Sequence, residues 1–170
     1  MRTVGMARAG FEMICERLVS RTVRGEPLAK KQMIQEVVAD SWLELEQFRL
    51  LLLRTAWKID KLNDYKQVRT DIAAIKIGMT GLLKRIADRA IQVHGSFGLS
   101  DEAPFVHMLL NAYHIGLADG PTEVHKVTLA REVLRGVKPA EGLFPSYTRS
   151  VRVSNAEEKY AALFDEFGVP

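Results

Sequence analysis

Two corners hold the residues in this sequence best placed to do chemistry. The first, His94-Gly95-Ser96-Phe97-Gly98, closes a long amphipathic stretch and leaves backbone N–H groups open to an anion. The second, Ala118-Asp119-Gly120-Pro121-Thr122-Glu123, sets a carboxylate on a break between two helical stretches. There Gly120 frees the backbone, and Pro121 is preset for the first turn of the helix that follows. A carboxylate on such a corner can point into a cleft, where burial raises its proton affinity to a value useful in a base. The plainer role for Asp119 is to cap the last helix, which Asp does well. The histidines His94, His107, His114 and His125 invite a metal. However, no Glu-x-x-His pair occurs and the lone Cys15 is far from all four in sequence, so no metal is expected. No Ser, Cys or Thr nucleophile with a recognisable base can be read either.

The elements that must carry these corners are helices. Helical periodicity dominates, and alternation of period two is nearly absent. Residues 1–19 repeat Val4, Ala7, Phe11, Ile14 and Leu18 at intervals of three and four, and Arg21 to Leu28, with Gly25 and Pro27, is a connection. Ala29 to Leu62 is a long helix with a core face of Met33, Val37, Ser41, Leu45, Phe48, Leu52 and Ala56, ending at a turn or cap, Asn63-Asp64. Tyr65 to Val93 is a third helix, with Ile72, Ile75, Met79, Leu82, Ile86 and Ala90 inside; its Gly78 and Gly81 point to close helix approach. Asp101 and Pro104 begin the next helix, over Phe105 to Leu117, and Thr122 to Leu134 completes the set. The fold class is therefore all-α: an antiparallel four-helix bundle with one further helix after the Asp-Gly-Pro corner, over residues 1–137. Residues 138–170 form a tail with a short helix over 155–167, capped by Ser154 or Asn155.

Length and composition narrow the function classes. The 170 residues suit one domain with a proper core, and 47% apolar with 26% charged is ordinary for a globular chain. The net charge of +3 is scattered rather than gathered into a stripe, so nucleic acid is not an expected partner. No apolar run is long enough to span a bilayer and no secretory signal is readable, which makes the cytoplasm the default location. Within residues 48–59 eight of twelve side chains are apolar, too many for one stripe. That helix needs cover on a second side around Leu50, Leu53 and Trp57, so self-association as a homodimer or tetramer is expected.

On these residues the sequence resembles the C-terminal helical domain of the acyl-CoA dehydrogenase family. The resemblance is carried by Gln92-Val93-His94-Gly95-Ser96-Phe97-Gly98, by Pro104, and by Leu117-Ala118-Asp119-Gly120-Pro121-Thr122-Glu123-Val124-His125, closed by Ala130-Arg131. A fainter match is Arg21-Thr22-Val23-Arg24-Gly25 with Gln32. It implies a flavin enzyme of fatty acid metabolism that introduces an α,β double bond into an acyl-CoA thioester and passes electrons to electron-transferring flavoprotein. The corner before the last helix commonly carries a Glu that takes the C2 proton, and Asp119 stands at that position, one methylene shorter. Arg21, Gln92, Gly95 and Ser96 match positions that meet the phosphate and adenosine end of FAD, and Gly120, Pro121 and Glu123 match positions along the flavin. Ser96 replaces the family's second Gly, Arg24 an aromatic, and Leu110-Asn111 an Arg-Asp pair. The Leu-Ala-Asp-Gly-Pro corner is similar to that of a divergent branch, the long animal members that also carry a kinase-like domain.

In that family this bundle follows two other domains, and Arg2-Thr3-Val4-Gly5-Met6-Ala7 matches an interior stretch. Met1 is thus expected to be an internal methionine of a longer enzyme or the start of one chain of a split one, and the chain alone should bind FAD weakly or not at all. The alternative is a non-catalytic helical oligomerisation module that keeps the bundle and no flavin.

Overall fold

The structure, a computed structural model, describes residues 1–140 and 145–167. They fall into two units, Met1–Leu134 and Arg135–Pro170. The first unit holds helix α1 (Arg2–Ser20), a miniature antiparallel hairpin of β1 (Thr22–Val23) and β2 (Glu26–Pro27), and a 3-10 turn, Leu28–Lys30. Helix α2 (Gln32–Leu62), helix α3 (Tyr65–His94), a second 3-10 turn (Gly95–Leu99), helix α4 (Phe105–Leu117) and helix α5 (Thr122–Leu134) follow. The second unit contains helix α6 (Arg149–Phe167). It begins six residues before the expected start at Asn155, so neither Ser154 nor Asn155 is its cap.

Helix α3 is the axis of the first unit, packed against α1, α2, α4 and α5. A helix covered from so many directions buries more than one stripe. Leu82, Ile86 and Ala90 are inside as the periodicity predicts, and Val68, Ala73, Leu83 and Ala87 join them from other faces, while Ile75 and Met79 lie at the rim of the core. A Cβ on Gly78 would stand 2.8 Å from the Phe48 ring of α2, so this Gly does mark a close helix approach. Gly81 faces only the Arg85 side chain of its own helix.

In α2 the buried set is Ser41, Leu45, Phe48 and Thr55. Met33, expected in the core, is 81% exposed, because the helix starts only after the turn at Lys31 and its first residues lie outside the bundle. Ala56 is exposed too: the stripe alternates by four and three, which brings Thr55 inward, and its hydroxyl bonds the Leu51 carbonyl at 2.8 Å. The connection holds a hairpin that its composition hides. Arg24 and Gly25, with φ of 53° and 83°, form the two-residue turn that suits a right-twisted strand pair. At the far end of α2, Asn63 adopts the left-handed conformation and the Asp64 carboxylate accepts the Lys66 N–H at 2.9 Å, capping α3.

Ion pairs lock α2 to α3. Glu44 accepts from Arg85 and Arg89, which holds its carboxyl below the usual range against the opposing effect of burial. Asp71 is buried and accepts from Lys58 at 2.8 Å and from Arg54. Burial alone would raise its carboxyl, but the two cations outweigh it and depress it.

A depressed folded-state carboxyl adds stability that is fully present above the unfolded value of about 3.9 and is lost as pH falls through the folded value. Asp71→Asn is therefore expected to cost about 1.5–3 kcal/mol at pH 7, the range for hydrogen bonds to charged groups. Urea titrations should show the gap between parent and variant constant above about pH 5 and narrowing below about pH 4.

Candidate active site

The second corner is built on the C-terminal turn of α4, whose last carbonyls have no intrahelical partner. Lys76, on the central helix, is 9% exposed and reaches across to that turn. Its ammonium donates to the Ile115 carbonyl at 2.7 Å and to the Ala118 carbonyl. A cation at this end also meets the negative pole of the α4 dipole. Beyond Ala118, which is extended, the chain reverses through two consecutive left-handed residues, Asp119 with φ 54° and Gly120 with φ 99°. Asp tolerates this region better than most side chains, and Gly has no penalty there.

On the far side of the corner the Thr122 hydroxyl donates to the Gly116 carbonyl at 3.2 Å, tying the start of α5 to the end of α4. A Cβ on Gly116 would stand 3.1 Å from Thr80 of α3 and 3.3 Å from the Thr122 hydroxyl, so three helices meet where only hydrogen fits comfortably. His125 Nε2 lies 3.4 Å from the Asp119 carbonyl oxygen. The first backbone bonds of α5, from Val124 and His125, go to the Pro121 carbonyl. Among the described residues none hydrogen-bonds the Asp119 carboxylate, which is exposed. The side chain thus does not cap α5, and the corner holds its backbone while leaving the carboxylate free. Pro121 and Glu123 are exposed beside it.

The first corner lies at the other end of α4. Gly95, with φ 68°, ends α3, and nothing stands within 4 Å of where its side chain would be. Arg21 is exposed, and its guanidinium donates to the Val93 carbonyl at 3.5 Å, which brings the hairpin base to Gln92, Gly95 and Ser96. His94 bonds the Ala90 carbonyl at 2.8 Å through Nδ1 and packs on Phe105 with ring centroids 4.6 Å apart. Beside it a cleft of about 370 Å³ is lined by Arg17, Ser20, His94 and Phe97 among others. Arg21, Gln92, Gly95 and Ser96 thus come together where α3 gives way to α4, and Asp119, Gly120, Pro121 and Glu123 lie at the other end of α4.

Lys76 is the residue that sequence reasoning missed. Its signal is a single charge on the apolar stripe between Ile72 and Met79, where an unpaired ammonium would be costly unless carbonyls met it.

Comparison with known proteins places this geometry. A family model described as "Acyl-CoA dehydrogenase, C-terminal domain" matches residues 1–134. The chain is 38% identical over 130 residues to (R)-benzylsuccinyl-CoA dehydrogenase of Thauera aromatica, covering 76% of this chain and 32% of that protein. It is 38% identical over 135 residues to acyl-CoA dehydrogenase family member 11 of Rattus norvegicus, covering 79% of this chain and 17% of that one. Among solved structures it superposes on PigA in complex with FAD with a TM-score of 0.72 at 30% identity, over 79% of this chain and 34% of PigA. The chain thus spans about a third or less of the relatives it matches.

The Gly-rich corner depends on contact with the last turn of α3. A Cβ on Gly98 would stand 2.9 Å from both the Ile91 Cα and the Ile91 carbonyl oxygen, backbone atoms that cannot swing aside. Gly98→Ala is expected to lower stability by about 1–3 kcal/mol, as overpacking does, and thermal unfolding followed by circular dichroism at 222 nm measures it.

Proposed function

The chain belongs to the acyl-CoA dehydrogenase family, in which it corresponds to the C-terminal helical domain, and from that premise we propose that it supplies the proton-abstracting base, Asp119, for α,β-dehydrogenation of an acyl-CoA thioester. The observation that carries this reading is the free carboxylate of Asp119 on a corner whose backbone is held from both sides. A base needs a fixed backbone and an unoccupied acceptor oxygen, and this corner provides both.

The residues at the first corner fit the phosphate end of FAD. Arg21 has a single long hydrogen bond to displace, and the open space beside Gly95 lets an anion approach the backbone closely. Gln92 and Ser96 add side-chain hydrogen-bonding groups there, while Gly120, Pro121 and Glu123 border the other end. When bound, the flavin supplies the acceptor for the hydride that leaves C3. Asp119 takes the C2 proton, so that proton and hydride together leave a 2-enoyl thioester. The acyl chain and the rest of the enzyme would exclude water from the corner, the dry setting in which a positioned carboxylate acts as a base. Electron-transferring flavoprotein is the proposed acceptor of the electrons.

The exposed face of α2, with Leu50 and Trp57 each 58% exposed, supports a homo-oligomer, a dimer or tetramer, as the working form. The same face favours the second reading, a helical oligomerisation module without chemistry.

Single-turnover reduction separates the two. In the flavin-loaded enzyme that carries this domain, Asp119→Asn should retain the fold and flavin content while flavin bleaching by acyl-CoA slows by roughly 10²–10⁴-fold, the usual contribution of a general base. Asp119→Glu should keep measurable activity. Bleaching of the Asn variant at the parent's rate would move the base elsewhere and leave the oligomerisation module.

A further inference from the structure

We infer that Lys76 is a positioning residue for Asp119, holding the base corner from the opposite helix; this rests on the reading of Asp119 as the base. Three observations converge on it. Lys76 is a lysine at 9% exposure, and no carboxylate is paired with it among the described residues. Both hydrogen bonds recorded for its ammonium go to main-chain carbonyls at the exit of α4, and the second of these, Ala118, is covalently joined to Asp119. The corner itself has no regular secondary structure, and its two central residues are left-handed.

The consequence is mechanical. Without a partner, the Ile115 and Ala118 carbonyls would turn toward solvent, and the extended Ala118 peptide could rotate and carry the Asp119 Cα with it. The ammonium pins that peptide to α3, the most deeply packed helix of the unit, and the Thr122 hydroxyl holds the far side through Gly116. Thr80, one turn after Lys76, packs against the same junction, where a Cβ on Gly116 would stand 3.1 Å from it, so the junction is tight as well as charged. A neutral side chain of similar length would fill the space of Lys76 and leave the carbonyls unmet. The base would then lose its fixed position relative to the substrate, and a displacement of about 1 Å can cost on the order of 100-fold in rate.

The test uses the flavin-loaded enzyme that carries this domain, with parent, Lys76→Met, Lys76→Arg, Asp119→Asn and the Lys76→Met/Asp119→Asn double variant. Helicity and flavin content are checked first. Should the Met variant fail to fold, Lys76→Gln, whose neutral amide ends one bond short of the ammonium and so cannot meet both carbonyls, is read in the same way. The expected result for Lys76→Met is flavin reduction slowed by about 10–100-fold at saturating acyl-CoA, acyl-CoA binding within about threefold of the parent, and a substantial return of rate in Lys76→Arg. Hydrogen exchange followed by mass spectrometry should show residues 116–124 losing protection while the core of α3 keeps it. The double variant should be no slower than Asp119→Asn alone, because both changes act on one step. If Lys76→Met reduces flavin at the parent's rate while Asp119→Asn does not, the positioning role is overturned and the base assignment stands. A change in acyl-CoA affinity alone, or a double variant slower by the full product of the two effects, also overturns it. Reduction at the parent's rate by Asp119→Asn removes the base reading, and the role of Lys76 falls with it.

Discussion

Everything at the proposed base corner depends on one buried ammonium meeting the exposed carbonyls of a helix end. A lysine inside a bundle would be strongly destabilising without compensation. A helix C-terminus facing other helices would likewise leave carbonyls without donors. Lys76 and the end of α4 satisfy each other, and the charge is met by the helix dipole and main-chain oxygens rather than by a carboxylate. Because main-chain carbonyls meet the ammonium, its burial brings no further carboxylate to the corner that carries Asp119 and Glu123.

The same central helix organises both corners. Its C-terminal end forms the Gly95 turn, where Arg21 is drawn in by the Val93 carbonyl, and its middle carries Lys76. Helix α4 runs back between them, from Phe105 packed on His94 to Ile115 bonded by Lys76. At 1.5 Å per residue its 13 residues separate the corners by roughly 20 Å. One compact ligand group cannot touch both, so the arrangement suits an elongated cofactor, or two sites shared between copies of the chain. The ion pairs of Asp71 and Glu44 fix α2 along α3, and Leu50, Leu53 and Trp57 of α2 remain exposed.

Much of this was legible in the sequence because helix periodicity reports burial directly. Leu45, Phe48, Leu82, Ile86 and Ala90 fell where the pattern put them, Asp64 capped α3, and Gly78 marked the contact with Phe48. The failures have identifiable causes. Ala56 lies one four-residue step after Leu52, whereas the buried stripe passes through Thr55, whose hydroxyl bonds the carbonyl four residues back and travels inward as a small apolar group. The hairpin at Arg24-Gly25 is too short for alternation to register. At the candidate site, Asp119 and Gly120 could be placed on a corner from local turn chemistry, but the device that holds the corner joins residues about forty positions apart. Only tertiary structure brings Lys76 to Ala118; the sequence showed no more than a charge on an apolar stripe.

The most direct measurement is a crystal structure of the flavin-loaded enzyme that carries this domain, with an acyl-CoA analogue that cannot be oxidised. The account predicts an Asp119 carboxylate oxygen within about 3–3.5 Å of C2, the separation of a reactive pair, with the Lys76 ammonium still on the Ala118 carbonyl. A different carboxylate nearest to C2, with Asp119 turned to solvent, would contradict it.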